Sequence, residues 1–268
     1  MTTTKDVPRV GVLGLGEAGS IFASGIAQAA GEVRGFDPAD VPDPAGVDRA
    51  GTPARAVAGG RVVLALPHAA QAMEAADSAV RHMSAGAYYA DFSTSDPGLK
   101  RDIADLAHTH GLRFIDGAIM NPVPLAGVAT PVDVSGDDPD EFTGLLNPLG
   151  LRLQAIGTDP GLAATRKLLR SVLVKGLSAL VIESMRAAET AGVADWYREH
   201  VFENLCGIDR EFVIRLVHGN LQHHRRRVHE MEAASMLLRH FGEPPLTSEA
   251  TRQVLESVAG RGVPDMSK

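Results

Sequence analysis

Three glycines, Gly14, Gly16 and Gly19, follow the apolar run Val10–Leu13 at the spacing G-x-G-x-x-G. In a dinucleotide site the first glycine permits a tight turn, the second lets the backbone approach the pyrophosphate, and the third lets a helix pack closely. The pyrophosphate then binds free N–H groups at the positive end of that helix. The spacing therefore predicts a nucleotide-binding turn between a strand and a helix.

The segments on either side of the glycine motif are the strands and the helix that a dinucleotide-binding turn requires. Residues 9–13 are typical of a buried strand, residues 20–30 of an Ala-rich helix, and residues 32–36 of a second strand. Asp37 lies 18 residues past Gly19, and dinucleotide folds place an acid that binds the ribose hydroxyls about 20 residues on. The alternative is a glycine turn that binds no nucleotide. It does not explain why two strands, a helix and an acid all occur at the positions that a dinucleotide site requires.

Lys167 is a second candidate for chemistry, on the long apolar segment 162–191. At about 100° per residue, Lys167 and Ser171 share one narrow stripe of a helix with Lys175 and Ser178. Lysine is rarely fully buried without a partner, and desolvation shifts lysine pKa values toward those useful in acid–base catalysis. The stripe is therefore either a catalytic face or an exposed edge along which lysines reach solvent.

Polar residues also follow other predicted strands, at the edge where open α/β sheets bind ligands. Ser93 and Thr94 come after a strand at residues 87–91, where their hydroxyls face a cofactor or substrate unless Thr94 or Ser95 caps the next helix. His68 follows a strand at residues 61–66.

Asn121 lies in a turn with Met120 and Pro122 and is a candidate for binding a substrate carboxylate, although turn chemistry explains it equally well. The histidines of the carboxyl-terminal half lack metal-ligand spacing and have no carboxylate or cysteine partners, so no metal site is predicted.

Composition limits the class of protein. The chain has 268 residues, 44% of them hydrophobic, which is enough for one large or two modest domains with a proper core. The net charge of −7 argues against a nucleic-acid partner, and the single cysteine excludes an internal disulfide. Residues 1–7 lack the apolar core of a secretory signal, and no apolar run approaches the ~20 residues that cross a bilayer. We therefore expect a soluble cytoplasmic protein without a membrane partner.

Alternating strands and helices as far as a strand at residues 151–155 predict an α/β Rossmann-like domain with a parallel sheet covered on both faces. From Pro160 onward helical periodicity dominates, and residues 158–161 form the natural hinge. We predict a dinucleotide-binding domain at residues 1–158 and an all-α domain at residues 159–268, opened by a long interdomain helix. That helix is apolar nearly all round, which predicts burial in a large core or a dimer interface.

Four motifs together resemble the β-hydroxyacid dehydrogenase superfamily, which includes 3-hydroxyisobutyrate dehydrogenase, 6-phosphogluconate dehydrogenase and, more distantly, the imine reductases. They are GLGEAG after the first strand, DFSTSDP, DGAIMNPVP and ATRKLLRS on the long helix. The resemblance covers almost the whole chain in order. It is closest to a bacterial subgroup of phosphogluconate dehydrogenase relatives whose carboxyl-terminal helical domain has no assigned substrate. It implies NAD or NADP as cofactor, a small-molecule substrate, and a homodimer formed through the helical domain.

The resemblance implies a role for each matching residue. Lys167 matches the catalytic lysine, which protonates the carbonyl oxygen during reduction and takes the proton back during oxidation. Leu66 and Pro67 lie along the adenosine side of the cofactor, and Thr94 lies near the nicotinamide ribose. The remaining residues of the predicted cofactor site are Gly14, Leu15, Gly16, Glu17, Ala18, Gly19, Asp37, His68 and Ser93.

Two departures from the superfamily pattern concern the substrate. The DAPVSGG-like substrate loop reads Asp116-Gly-Ala-Ile-Met-Asn121 here, without its serine and paired glycines, and Ser171 replaces the asparagine four residues beyond the lysine. They indicate a pocket unlike that of 3-hydroxyisobutyrate dehydrogenase, bulkier or less polar, for which Met120, Asn121 and Pro122 are the predicted substrate-binding residues. Ser171 lies one helical turn from Lys167, within reach of a substrate hydroxyl.

These observations predict an NAD(P)-dependent oxidoreductase that interconverts a hydroxy acid or related alcohol and its carbonyl, with Lys167 as general acid–base. Asp37 favours NAD, because it accepts ribose hydroxyls and repels a 2′-phosphate. One alternative is an imine reductase, although those relatives usually carry an acid or a tyrosine in place of Lys167. Another is a non-catalytic nucleotide-binding regulator, for which a lysine in an apolar helix has no use. A decarboxylating variant stays open, since a β-keto acid product loses carbon dioxide at the same site.

Overall fold

The computed structural model describes residues 8–29 and 31–266. It divides into two compact units, one up to Arg170 and one from Ser171 onward. The division falls inside a long helix, after the hinge predicted at residues 158–161. The functional division into domains 1–158 and 159–268 stays a prediction.

The first unit is built on an eight-stranded sheet with the order β3-β2-β1-β4-β5-β6-β7-β8. The order of the first six strands is that of the Rossmann fold, in which the crevice between the strands numbered first and fourth binds the dinucleotide. The strands are β1 Val10–Leu13, β2 Val33–Phe36, β3 Asp48–Arg49, β4 Val62–Ala65, β5 Tyr88–Asp91, β6 Arg113–Ile119, β7 Pro131–Gly136 and β8 Arg152–Gly157.

The sheet is predominantly parallel, but β6 and β7 pair antiparallel. The predicted parallel sheet therefore contains one antiparallel pairing. The connection from β6 to β7 covers residues 120–130 and contains only short helical turns. A parallel crossover takes a dozen or more residues and usually a full helix, so this connection instead returns the chain beside the strand it left.

Helices cover both faces of the sheet, which explains why its central strands are apolar on both sides. In β4, Leu64 belongs to one buried cluster and Val63 to the other. The helices of this unit are α1 Glu17–Gln28, α2 Pro53–Val57, α3 Ala72–Val80, α4 Pro97–Thr109, α5 Val123–Ala126 and α6 Pro139–Leu146. The α/β prediction is confirmed.

Several boundaries differ from the prediction. The helix predicted at residues 68–83 is a 3₁₀ turn, Ala69–Gln71, followed by α3. Asp96, and not Thr94 or Ser95, caps α4, since its Oδ1 accepts the amides of the two residues that follow Pro97. The predicted helix end at residue 30 and the segment 1–7 lie outside the described residues.

One line of residues crosses the sheet in register from β2 to β7, and we call it the edge row: Phe36, Leu13, Ala65, Asp91, Asp116 and Ser135. Its first four members are the last residues of β2, β1, β4 and β5. Residues paired across neighbouring strands point to the same face of a sheet. The polar side chains of Asp91, Asp116 and Ser135 therefore lie side by side, level with the strand ends that precede the glycine turn.

The second unit, as far as residue 266, consists of the remainder of α7 Leu162–Thr190 together with α8 Ala194–Cys206, α9 Arg210–His240 and α10 Leu246–Arg261. Large apolar side chains of α7 are exposed in the single chain: Leu169, Val172, Leu173, Val174, Leu177, Leu180 and Ile182. Burial of these residues in a core of their own chain, one of the two predicted options, is therefore wrong. Among the described residues, no helix combines the length and the hydropathy that a bilayer crossing requires.

A buried carboxylate on α7 holds the start of α10. Glu183 Oε2 accepts the Thr247 amide at 2.6 Å, and Oε1 accepts the Ser248 amide at 2.9 Å and the Ser248 hydroxyl at 2.7 Å. First-turn amides have no partner within their own helix, so Glu183 serves as a cap from a distant element. Burial opposes its ionisation, but these hydrogen bonds together outweigh burial and hold the pKa of Glu183 below its usual value.

We predict that Glu183→Gln lowers the free energy of unfolding by about 1–2 kcal/mol at pH 7, as loss of a good cap does. Urea denaturation of the full chain measures this, with Glu189→Gln, an exposed acid on the same helix, as control. A carboxylate with a lowered folded-state pKa contributes stability above its unfolded pKa and loses it as the pH falls through the folded value. The difference between variant and wild type should therefore shrink below about pH 4.5. A difference that persists unchanged into acid would contradict this assignment.

Candidate functional site

The three glycines of the motif have the separate geometries that a dinucleotide turn needs. Gly14 has a φ of +89°, and a Cβ there would lie 2.7 Å from the Leu66 carbonyl oxygen. A Cβ on Gly19 would lie 1.9 Å from the Gly14 carbonyl oxygen, so α1 packs directly against the turn. Gly16 is the N-cap residue of α1, and a Cβ there would meet only open space. The open position faces the place where the motif brings a pyrophosphate to the helix.

A cavity of about 880 Å³ lies above this turn, at the carboxyl ends of β1, β2 and β4. Its lining contains nine of the predicted cofactor residues: Gly14, Gly16, Glu17, Ala18, Gly19, Asp37, Leu66, Pro67 and His68. Leu15, 2% exposed, belongs to the buried core. The lining also includes Gln71, Glu74, Ala75 and Ser78 on and just before α3, which the sequence analysis missed. Their position after β4 was the available signal, because that helix begins at the same sheet edge.

Asp37 joins the second strand to the glycine turn. Its Oδ2 accepts the Leu15 amide at 2.7 Å, and its Oδ1 accepts the Ala39 amide at 2.8 Å. The carboxylate is half-buried and lines the cavity. Each carboxylate oxygen has further lone pairs, so Asp37 is able to bind ribose hydroxyls while it holds the turn.

Arg49, on the two-residue strand β3, lies against the loop that follows Asp37. Its guanidinium donates to the carbonyl oxygens of Asp37, Ala39 and Val41 and to the Asp43 carboxylate. Arg34 of β2 pairs with Asp48. Both arginines therefore have partners within the loop and the strands next to Asp37. Neither arginine was predicted as part of the cofactor site, and the two-residue strand of Arg49 leaves no pattern in the sequence.

Ser93 and Thr94 differ in their exposure. Ser93 is 4% exposed, and its hydroxyl lies 2.8 Å from Asp91 Oδ2 and 2.7 Å from the Ser95 hydroxyl. Thr94 is exposed. Neither residue lines the cavity above the glycine turn, and their contacts with a cofactor stay predictions.

Lys167 lies in the second turn of α7, and the first turn of that helix is tied to the edge row. Ser135 Oγ accepts the Ala163 amide at 3.2 Å, and Asp116 Oδ2 accepts the Ala164 amide at 2.8 Å. Lys167 itself is half-buried. Its helix thus begins level with the strand ends that form the nucleotide cavity.

The loop after β6 contacts the same part of α7. Arg170 Nη2 donates to Asn121 Oδ1 at 3.3 Å, and both side chains are exposed. The structure therefore brings the loop that carries Met120, Asn121 and Pro122 against the helical turn of Lys167. Arg170 was not predicted, although its spacing of three residues from Lys167 was a usable signal. Ser171 and Lys175 follow on α7 within the second unit. The described residues contain no cluster of three or more His, Cys, Asp or Glu able to hold a metal ion.

Comparison with known proteins identifies both parts of the chain. Residues 9–128 match the NAD binding domain of 6-phosphogluconate dehydrogenase, and residues 188–258 match a domain of unknown function, DUF1932. A conserved hypothetical protein from Sinorhizobium meliloti 1021 is 30% identical over 95% of this chain and 89% of its own, with a TM-score of 0.63. The chain belongs to the 6-phosphogluconate dehydrogenase-like family. The predicted resemblance is confirmed. No curated protein sequence matches the chain.

Two further solved structures place this family member in its fold. MTH1747, a conserved protein described as structurally similar to 3-hydroxyacid dehydrogenases, is 28% identical over 95% of this chain and 99% of its own, with a TM-score of 0.62. A reductive aminase from Aspergillus terreus, in complex with NADPH and ethyl levulinate, has a TM-score of 0.79 at 19% identity, over 97% of both chains. The domain match and these relatives support an NAD(P)-dependent oxidoreductase, as predicted.

Substitutions of Gly16 and Gly19 should separate cofactor binding from folding. We predict that Gly16→Ala keeps the wild-type melting temperature to within a few degrees but weakens NADH binding about 10-fold or more, because its methyl group occupies the space above the turn. Gly19→Ala should instead lower stability by about 1–3 kcal/mol, since its methyl group clashes with the Gly14 carbonyl. NADH fluorescence titration and thermal unfolding of both variants make the comparison. Unchanged NADH affinity in a folded Gly16→Ala variant would contradict the assigned turn.

Proposed function

We propose that this protein is an NAD(P)-dependent dehydrogenase that interconverts a hydroxy acid and its carbonyl compound, with Lys167 as general acid–base. The edge row is the observation that carries the proposal. At one end of the row are the last residues of the strands that lead into the nucleotide cavity. At the other end, Asp116 and Ser135 accept backbone amides from the first turn of the helix that carries Lys167. Three strand spacings separate β1 from β6, which is about 14 Å at ~4.8 Å each. The arrangement supports a cofactor that extends across the sheet from the glycine turn toward Lys167.

The residues divide the reaction between them. The bound nicotinamide supplies or accepts the hydride. The Lys167 ammonium donates a proton to the carbonyl oxygen as the substrate is reduced and recovers it when the hydroxyl is oxidised. The glycine turn and the first turn of α1 hold the pyrophosphate through backbone amides. Each group acts from a rigid element of the sheet or from a helix terminus tied to it.

Arg170 and Asn121 favour an acid as substrate. The Arg170 guanidinium donates to a neutral carboxamide, and its other N–H groups point in the fixed fork that binds carboxylates in bidentate fashion. The Asn121 amide nitrogen provides a further donor beside it. A hydroxy acid or keto acid supplies the anion that such a pair binds, whereas a neutral cyclic imine does not. The pair therefore supports the hydroxy-acid proposal over an imine reductase.

We propose NAD as the preferred cofactor. Asp37 lines both the cavity and an adjoining pocket that also contains Asp40, so a 2′-phosphate bound beside Asp37 would meet like charge. Arg49 and Arg34 already have partners in the loop and strand. The NADPH complex of the Aspergillus terreus reductive aminase supports the use of a nicotinamide cofactor, and the choice between NAD and NADP is left to measurement.

We also propose that the exposed apolar side chains of α7 pack against a second copy of the chain in a homodimer. Exposed leucine, valine and isoleucine side chains run from Leu169 to Ile182. So many large exposed apolar side chains on one helix are more typical of an obligate interface than of a free surface. Domains 1–158 and 159–268 then correspond to cofactor binding and to substrate binding with dimerisation.

The central test is the loss of activity in Lys167→Met. NADH and NADPH oxidation is followed with 2- and 3-keto acids, aldehydes, semialdehydes and cyclic imines. For the carbonyl compound that wild type reduces, the variant should lose about 10²–10⁴-fold in kcat, while its NADH dissociation constant stays the same. Lys175→Met, two turns along the same helix, is the matched control and should keep wild-type turnover.

Other outcomes point to the alternatives. Imine reduction that survives in Lys167→Met would show that another group is the acid and would replace the dehydrogenase by an imine reductase. Cofactor binding without turnover of any compound in the panel would favour a nucleotide-binding regulator. Carbon dioxide release in step with NADH formation would identify a decarboxylating dehydrogenase.

Cofactor preference is tested by Asp37→Asn, which removes the charge but keeps an oxygen to accept the Leu15 amide. We predict that wild type binds NADH more tightly than NADPH and that the substitution changes the ratio of the two dissociation constants by about 10-fold in favour of NADPH. Fluorescence titrations with both cofactors measure the ratio. A ratio that does not change would show that Asp37 has no part in the choice.

A further inference from the structure

Three ionisable groups lie buried beneath the site and take no direct part in the proposed chemistry. Asp91, Lys100 and Asp116 are each 0–1% exposed, and we call them the ion cluster. Lys100, on α4, directs its Nζ to three oxygens. They are Asp91 Oδ2 at 3.0 Å, Asp116 Oδ1 at 3.2 Å and the Asp91 carbonyl at 2.7 Å. The cluster therefore joins the carboxyl end of β5 and the middle of β6 to a helix.

Such a cluster is a costly way to fill a core. Desolvation of buried charges offsets most of their mutual attraction, and well-packed apolar side chains of similar volume are often at least as stable. We therefore expect the ion cluster to matter less for stability than for fixing the positions of neighbouring segments. Those segments are the ones whose amide and hydroxyl groups donate hydrogen bonds to the two aspartates.

Asp91 holds the loop that follows β5. Its Oδ1 accepts the Ser93 amide at 3.0 Å, and its Oδ2 accepts the Ser93 hydroxyl at 2.8 Å. The Ser93 hydroxyl in turn contacts Ser95. This aspartate thus orders the segment that carries Thr94, on the cofactor side of the cluster.

Asp116 holds the start of α7. Its Oδ2 accepts the Ala164 amide at 2.8 Å, and Ser135, its neighbour in the edge row, accepts the Ala163 amide. One ammonium group against two carboxylates leaves an excess of negative charge in the cluster. The positive end of the α7 dipole meets that excess through the Ala164 amide. The ion pair and the helix terminus therefore stabilise each other.

The starts of α4 and α7 are also in direct contact. Gly161, just before α7, has a φ of +98°, and a Cβ there would lie 2.9 Å from the Pro97 carbonyl oxygen. Pro97 is the first residue of α4, and Lys100 lies one turn further along that helix. Little room remains for the first turn of α7 to shift while the cluster is intact.

We propose that Lys100 and Asp116 are positioning residues for catalysis: the ion cluster fixes the first turn of α7 and thereby the place of Lys167 relative to the cofactor. This inference rests on the proposed role of Lys167 as general acid–base. Asp91, through its separate contact with Ser93, positions the cofactor side. One buried lysine thus sets the relative position of the proton donor and the cofactor loop.

Asp116→Asn and Asp91→Asn form a matched pair for the test. Both remove one carboxylate from the same cluster without a change in size, but only Asp116 bonds α7. An asparagine at 116 presents its NH₂ group either to Lys100 or to the Ala164 amide, so one of the two contacts is lost. Urea unfolding measures the stability loss that the two variants share.

Hydrogen exchange of the full-length protein and steady-state kinetics then separate the two roles. The two variants are compared under conditions in which their free energies of unfolding are equal. The amides at residues 163–167 should then exchange about 10-fold faster in Asp116→Asn than in Asp91→Asn. The kcat for the carbonyl compound that wild type reduces should fall about 10–100-fold, with the NADH dissociation constant within about twofold of wild type. Asp91→Asn should instead raise the NADH dissociation constant and expose the amides of residues 92–95.

The inference is overturned if Asp116→Asn loses stability like Asp91→Asn but keeps wild-type kcat and wild-type exchange at the start of α7. That result leaves the role of Lys167 untouched, because Lys167→Met reports on it separately. Wild-type turnover in Lys167→Met would instead overturn the proposed function and with it the catalytic part of this inference. The exchange comparison needs no substrate and decides whether the cluster holds α7 in either case.

Discussion

The contact between Lys100 and the two aspartates at the carboxyl end of β5 and the middle of β6 is the interaction on which the arrangement of the site depends. Through Asp91 it orders the loop after β5, and through Asp116 it holds the first turn of α7. Without it, the first turn of α7 would keep its hydrogen bond to Ser135, and its next residues would keep the exposed contacts of Arg166 with Asp133 and of Arg170 with Asn121. The ion cluster is thereby proposed to fix the position of Lys167 relative to the glycine turn.

Local sequence was sufficient to predict the glycine turn and the strands and helix around it. Gly14, Gly16 and Gly19 each act through a backbone property that spacing alone reveals: a positive φ, open space or a close approach. Asp37 lies where the strand and helix lengths of one βαβ unit place it. For the same reason the strands and the helices around them could be predicted to within a few residues, since apolar strands buried on both faces leave a strong pattern.

The contacts between distant elements could not be predicted. Lys100 lies among the polar residues of α4, and periodicity does not distinguish it from an exposed lysine. The cap from Asp116 to Ala164 spans 48 residues, and that from Glu183 to Ser248 spans 65. The antiparallel pairing of β6 and β7 follows from the short connection between them. That pairing becomes visible only once the strands lie in the sheet. Arg170 was missed because its partner, Asn121, lies in a loop without periodicity.

The most direct measurement of the central claim is transfer of deuterium from NADH labelled at C4 of the nicotinamide, in each stereochemical form, to the product. The reaction with each carbonyl compound and imine of the panel is followed by mass spectrometry. We predict that one of the two labelled forms delivers its deuterium to the former carbonyl carbon of an acid substrate. Consumption of NADH without deuterium in the product, or delivery only to the carbon of an imine, would contradict the proposed hydroxy-acid dehydrogenase.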